Sequence, residues 1–281
     1  MRSRRRARGL NLRGARVLVT GASSGIGRAL AMRLAQEGAA VVLAARRLEL
    51  LDTLADEIGT AGHRRPVVIR ADLNQPGAAE ALVGSALQEL GGVIDVVINN
   101  AGDGMVGAVS VIGDGANARG VFEVNFWAPL AVIAAVVPAM TAAGSGTIVN
   151  VTSTMQAIPL PLLGYYASSK AALAQATRSL RLELAETPIR VVEVAPGATD
   201  TGSRDQGIGE MPWKTTPPRM LPPVSPQSLA AQIVAALQRG RTRLVYPASS
   251  RVPLEVPAIG RLIARAGGRR INTRDALNTH P

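Results

Sequence analysis

Cysteine is absent from the chain of 281 residues, which excludes disulfides, thiolate nucleophiles and cysteine-ligated metal and suits a reducing cytoplasm. Histidine is almost as scarce. His63 stands beside Arg64 and Arg65 and His280 next to the C-terminus, a distribution that argues against a serine-histidine triad or a multi-histidine zinc site. No metal is expected, and acid-base chemistry falls to Tyr, Lys, Asp or Glu. Aromatic residues make up only 2%, so the core must be built from Ala, Val, Leu and Ile; with 47% apolar and 18% charged residues the chain is not a disordered one. Long apolar runs are also lacking. The best candidate, "WAPLAVIAAVVPAM", is broken by two prolines and falls short of the ~18 residues needed to span a bilayer, so no transmembrane segment is expected. Nor does a signal-type stretch follow the N-terminal arginines, and a cytoplasmic protein is the default.

Acidic residues are outnumbered, 20 against 31 Lys and Arg, for a formal charge of +11. Much of the excess sits at the ends, in "MRSRRRAR" and between Arg261 and Arg274. A basic arm attracts nucleic acid or anionic lipid. Without interleaved aromatics, residues 1–13 read as a solvated tail, and a nucleic-acid partner is not expected.

Between these ends, short β-branched runs alternate with helical-period segments. Strands are predicted at 16–20, 40–45, 66–71, 94–98, 146–151, 189–194 and 242–246, and helices near 25–37, 47–59, 76–90, 116–142, 165–186 and 226–239. Strands so continuously apolar are covered on both faces, which requires a parallel sheet between helical layers. The expected fold is one doubly wound, Rossmann-like α/β domain over residues 14–247, with a mainly parallel seven-stranded sheet. Residues 198–225 form an irregular stretch rich in Gly, Pro and Thr. It reads equally as disorder or as a substrate lid lined by Met211, Trp213 and Met220. The basic C-terminal extension, 248–281, offers Leu254, Ile259, Leu262 and Ile263 as the apolar face of a short helix with arginines opposite. Packing of that face on the body or on a second subunit is favoured over peripheral membrane contact.

Two stretches carry chemistry. In "VLVTGASSGIGRAL", Gly21, Gly25 and Gly27 let a dinucleotide pyrophosphate approach the backbone at a helix N-terminus. The TGxxxGxG spacing differs from GxGxxG, but it lies where a phosphate loop belongs, between a strand and a helix. Where an NAD enzyme often has a carboxylate for the ribose hydroxyl, this chain has Ala45, Arg46 and Arg47, a placement that suits the 2′-phosphate of NADP(H) over NAD(H), with Arg46, nearer the strand end, favoured as its partner. In "YYASSK", a turn of 100° per residue puts Tyr166 and Lys170 on one helix face, whereas Tyr165 pairs in register with the uncharged Ser169.

With these motifs in place the chain resembles the short-chain dehydrogenase/reductase family over roughly residues 14–246. The resemblance rests on Thr20-Gly21-Ala22-Ser23-Ser24-Gly25-Ile26-Gly27, Ala71-Asp72-Leu73, Asn99-Asn100-Ala101-Gly102, Asn125, Ser153, Tyr166-Ala167-Ser168-Ser169-Lys170 and Pro196-Gly197. It implies a catalytic set of Asn125, Ser153, Tyr166 and Lys170. It further implies that Asp72 and Leu73 lie at the adenine, that Asn99, Ala101 and Gly102 line the cofactor and steady the sheet, and that Pro196 and Gly197 sit beside the nicotinamide. Thr201 would touch the carboxamide, Ser23 would help hold the extra phosphate of NADP, and Ser24 and Ile26 in the same turn would also bind the cofactor.

The implied reaction is NADP-dependent interconversion of a carbonyl and an alcohol. Tyr166 would be the acid-base, its phenol lowered by Lys170; Ser153 would stabilise the substrate oxygen, and Asn125 would hold a proton-relay water. The substrate is a small molecule, with the Met, Trp and Pro of the 198–225 stretch compatible with an apolar one. A homodimer or homotetramer through the long helices is expected. Two other readings stand beside it: the same enzyme using NAD, and a non-enzymatic NADP-binding sensor or docking protein.

Overall fold

The computed structural model describes residues 9–200, 212 and 223–278. The basic segment 1–8, Thr201, the lid candidates Met211, Trp213 and Met220, and His280 lie outside the described residues.

Seven strands form a single sheet: β1 (Arg16–Thr20), β2 (Ala40–Ala45), β3 (Val67–Arg70), β4 (Val96–Asn99), β5 (Gly146–Val151), β6 (Ile189–Pro196) and β7 (Arg243–Tyr246). Their order is β3-β2-β1-β4-β5-β6-β7, with every pairing parallel. The chain crosses over between β3 and β4, so the carboxyl ends of β1 and β4 diverge there and open a crevice, which is where such sheets bind ligands. One face of the sheet is covered by α1 (Gly25–Gln36), α2 (Leu48–Thr60) and α8 (Pro226–Gln238), the other by α3 (Ala78–Glu89), α6 (Ala128–Ala142) and α7 (Gly164–Glu183). Every residue of β5 is buried, which is why its sequence shows no polar alternation.

The predicted helix at 116–142 is continuous but not uniform. It begins as α5 (Ala116–Phe122), passes through a π-helical turn (Glu123–Trp127) and continues as α6, after a short α4 (Val109–Ile112) that periodicity did not reveal. The whole 27-residue run is long and apolar enough to cross a membrane by length and composition. Here Val132, Ile133, Val136 and Met140 pack into the sheet layer with α3, and the π turn carries the buried polar Asn125. Beyond β7 lie α9 (Arg251–Glu255), α10 (Pro257–Gly268) and α11 (Arg274–Asn278).

Candidate active site

The glycine turn after β1 is held by the chain leaving β4. Thr20 Oγ1 accepts hydrogen bonds from the amides of Asn100 (3.1 Å) and Ala101 (3.0 Å), and Asn100 Nδ2 donates to the carbonyls of Thr20 (3.0 Å) and Gly21 (3.3 Å). So close an approach leaves no space for side chains. A Cβ on Gly21, whose φ is +67°, would lie 2.7 Å from Ala101 Cα, and one on Gly27 would lie 2.2 Å from the Gly21 carbonyl oxygen. Ser24, the residue preceding α1, forms no side-chain cap, so the first-turn amides of the helix remain directed toward the crevice.

A cavity of about 440 Å³ runs from this turn along the carboxyl ends of the strands. At one end lie Gly21, Ser23, Ser24, Gly25 and Ile26; Arg46, Arg47, Asp72 and Leu73 flank them; Ala101, Gly102, Pro196 and Gly197 line the middle; Ser153, Tyr166 and Lys170 close the far wall. Dinucleotide geometry fits this cradle, because the glycine turn lines one end of the cavity and Arg47 stands beside its serines. Arg47 Nη2 donates to Ser23 Oγ (3.1 Å) and Ser24 Oγ (3.2 Å), whereas Arg46 reaches 3.5 Å to Asp103. The arginine farther from the strand end is the one that meets the glycine turn.

Ser153 leaves β5 at the start of a 3-10 turn (Thr154–Ala157), its Oγ accepting from the Met155 amide at 3.1 Å. Tyr166 and Lys170 stand one turn apart on α7 and both face the cavity. Tyr165 points away: it is buried, with its hydroxyl donating to the carbonyl of Gly113. Lys170 is buried too, its Nζ donating to the Val151 carbonyl at 3.1 Å. Burial pulls the ammonium down to about 8, against the opposing pull of Asp103.

The phenol behaves differently from the sequence expectation. Burial pushes Tyr166 above the ordinary range, with the neighbouring Ser153 hydroxyl working the other way. Lys170 lies on the same cavity lining, its ammonium bonded to the Val151 carbonyl. The protonated phenol is therefore the resting form, which suits donation to a carbonyl oxygen.

Residues 15–209 match the family model for short chain dehydrogenase. The chain belongs to that family. It is 41% identical over 188 residues to the short-chain dehydrogenase PC-15 of Penicillium crustosum, a match covering 66% of each chain. The chain thus spans slightly under two thirds of the length of that curated relative. Among solved structures it resembles a short-chain dehydrogenase from Sphingobium yanoikuyae in complex with NADPH, at 29% identity and TM-score 0.74, over 89% of this chain and 93% of that one. A short chain dehydrogenase/reductase from Burkholderia phymatum in complex with NAD shares the fold at 23% identity and TM-score 0.76, over 90% and 97% of the two chains.

Within this short-chain dehydrogenase site, three of the residues assigned from sequence do not line the cavity, counted among the described residues. Asn99 Nδ2 donates to Asn150 Oδ1 (2.9 Å), and Asn150 in turn donates to Thr177, so Asn99 braces β4, β5 and α7. Gly27 serves close packing under the turn. Asn125 is fully buried: its Oδ1 accepts from the Asp103 amide (2.9 Å) and its Nδ2 donates to the Asp103 carbonyl (2.7 Å) and Ser169 Oγ (2.9 Å). Conversely, Asn100, the second residue of the motif, lines the cavity, as does Asp103, which had no assigned role. The first was legible in the Asn-Asn-Ala-Gly run; the second stands at the start of an irregular stretch whose path no local pattern indicates.

Proposed function

We propose that this short-chain dehydrogenase is an NADP-dependent oxidoreductase that interconverts a small-molecule carbonyl and the corresponding alcohol. The observation carrying this reading is that Ser153, Tyr166 and Lys170 line one cavity together, and that the same cavity begins at the glycine turn. A bound nicotinamide would supply or take up the hydride. Ser153 would hold the substrate oxygen, and Tyr166 would give it a proton as negative charge develops there. Lys170 would keep positive charge beneath the phenol, and Asn125 would fix the Asp103 backbone next to it. A homodimer or homotetramer through α6 and α7 belongs to the same reading, as does a cytoplasmic location.

The decisive assay follows the absorbance of reduced nicotinamide across a panel of aldehydes and ketones. No turnover with any class, despite cofactor binding, would instead favour a sensor or docking role. Cofactor choice has its own test. Arg47, held by Ser23 and Ser24 with no carboxylate at Ala45, supports NADP, and a charge-assisted contact of about 1.5–3 kcal/mol corresponds to roughly 10–100-fold in affinity. Arg47→Ala should weaken NADPH binding by that factor and leave NADH binding nearly unchanged, measured by titration calorimetry; equal loss for both would remove Arg47 from the phosphate site.

The pH profile supplies a third measurement. With Lys170 at about 8, kcat/KM for carbonyl reduction should decline above that pH as the ammonium loses its proton. Asp103 works to raise the lysine, so Asp103→Asn should move the alkaline limb to lower pH. A limb that stays in place would show that a different group controls it.

A further inference from the structure

The C-terminal helices meet the amphipathic expectation only in part. α10 faces the body with its small residues: Gly260, Ala264 and Gly267 are buried, and a Cβ on Gly260 would lie 2.8 Å from the carbonyl oxygens of Ala157 and Pro253. Of the four apolar residues expected to pack, Leu254 is buried and Ile263 half-buried, but Ile259 is 37% and Leu262 66% exposed. Val252 and Val256, preceding them on α9 and at its end, are 52% and 43% exposed. Because the helix docks through glycines, its larger side chains are directed outward.

Charge accompanies this apolar strip. At 100° per residue, Arg261 and Arg265 follow one another along the side of α10 next to Leu262, Arg269 caps the helix, and all three are exposed. The ion pairs at this corner are Arg243–Glu255 and Arg251–Glu255; among the described residues these three arginines enter none. Aliphatic side chains bordered by arginines form the pattern of a helix lying in a bilayer interface, with apolar groups inserted and guanidinium groups at the headgroups. A second copy of this chain would oppose like charge with like. Nucleic acid would use the arginines and leave the aliphatic strip in water.

We propose that the outward face of α9 and α10 is a docking surface for an anionic lipid bilayer. The face lies behind the 154–161 segment, of which Thr154 and Met155 line the active-site cavity, so docking holds that side of the cavity near the membrane. The surface itself does not depend on the proposed oxidoreductase reading.

The test uses the full chain with its N-terminal arginines, sedimented with vesicles of phosphatidylcholine alone or mixed with phosphatidylglycerol. Wild type should bind the anionic vesicles at least about tenfold more tightly than the neutral ones. The double variant Ile259→Asp/Leu262→Asp and the triple variant Arg261→Gln/Arg265→Gln/Arg269→Gln should each lose about tenfold or more. All substituted positions are exposed or border solvent, and circular dichroism verifies the fold. Wild-type binding by the Asp variant would overturn the proposal, since the N-terminal arginines alone would then carry the affinity. So would wild type that ignores anionic vesicles, or light scattering that finds an oligomer dissolved by the Asp variant without any lipid binding.

Discussion

Replacement of Tyr166 by Phe is expected to reduce carbonyl turnover by roughly 10²–10⁴-fold, the contribution of a positioned general acid. The phenol is the titratable hydroxyl that faces both Ser153 and the cavity, and burial keeps it protonated. Its neighbour cannot substitute, because Tyr165 is turned into the protein and bonded to Gly113. The ring of Phe fills the same volume, so folding and cofactor affinity should be retained, the latter within about a factor of two. Stopped-flow reduction with saturating cofactor separates these effects. Turnover that persists near the wild-type rate would remove Tyr166 from the chemistry, whereas loss of cofactor binding would show that the hydroxyl is a structural element of the pocket.

The second large effect concerns a residue that touches no ligand. Gly27→Ala places a methyl group 2.2 Å from the Gly21 carbonyl and 2.5 Å from Asn100 Nδ2. Neither neighbour yields easily, since the carbonyl is backbone and Asn100 is fastened to Thr20 and Gly21. Overpacking of this kind costs about 1–3 kcal/mol. For a chain of this size that corresponds to a melting temperature lower by roughly 2–10 °C. The turn must also separate from the segment 100–101, so the phosphate cradle should open and NADPH affinity fall by at least about tenfold. Differential scanning calorimetry with and without NADPH tests both parts. An unaltered melting curve together with unaltered affinity would show that α1 shifts freely and that the tight contact is not needed.

Periodicity was sufficient for the layout of the fold because parallel strands, covered on both faces, are forced into unbroken apolar runs. All seven runs became strands within two residues of their expected ends, in a doubly wound order. The pairing of Tyr166 with Lys170 was equally legible, since four residues of helix fix a shared face wherever that helix sits. Local pattern did not reveal the π turn that carries Asn125, which breaks the helical period, or the path of Asp103, which no repeating pattern governs.

Composition and spacing determined a parallel α/β chain with a glycine turn, a pair of arginines after β2 and a tyrosine-lysine face. The tertiary structure decided which arginine meets the serines, that Asn99 braces the sheet while Asn100 lines the crevice, and that the Tyr166 phenol is raised by its surroundings. It also decided that α10 buries glycine and exposes leucine. These are questions of what lies opposite a side chain, and the dielectric and the space around a group are set by residues distant in sequence.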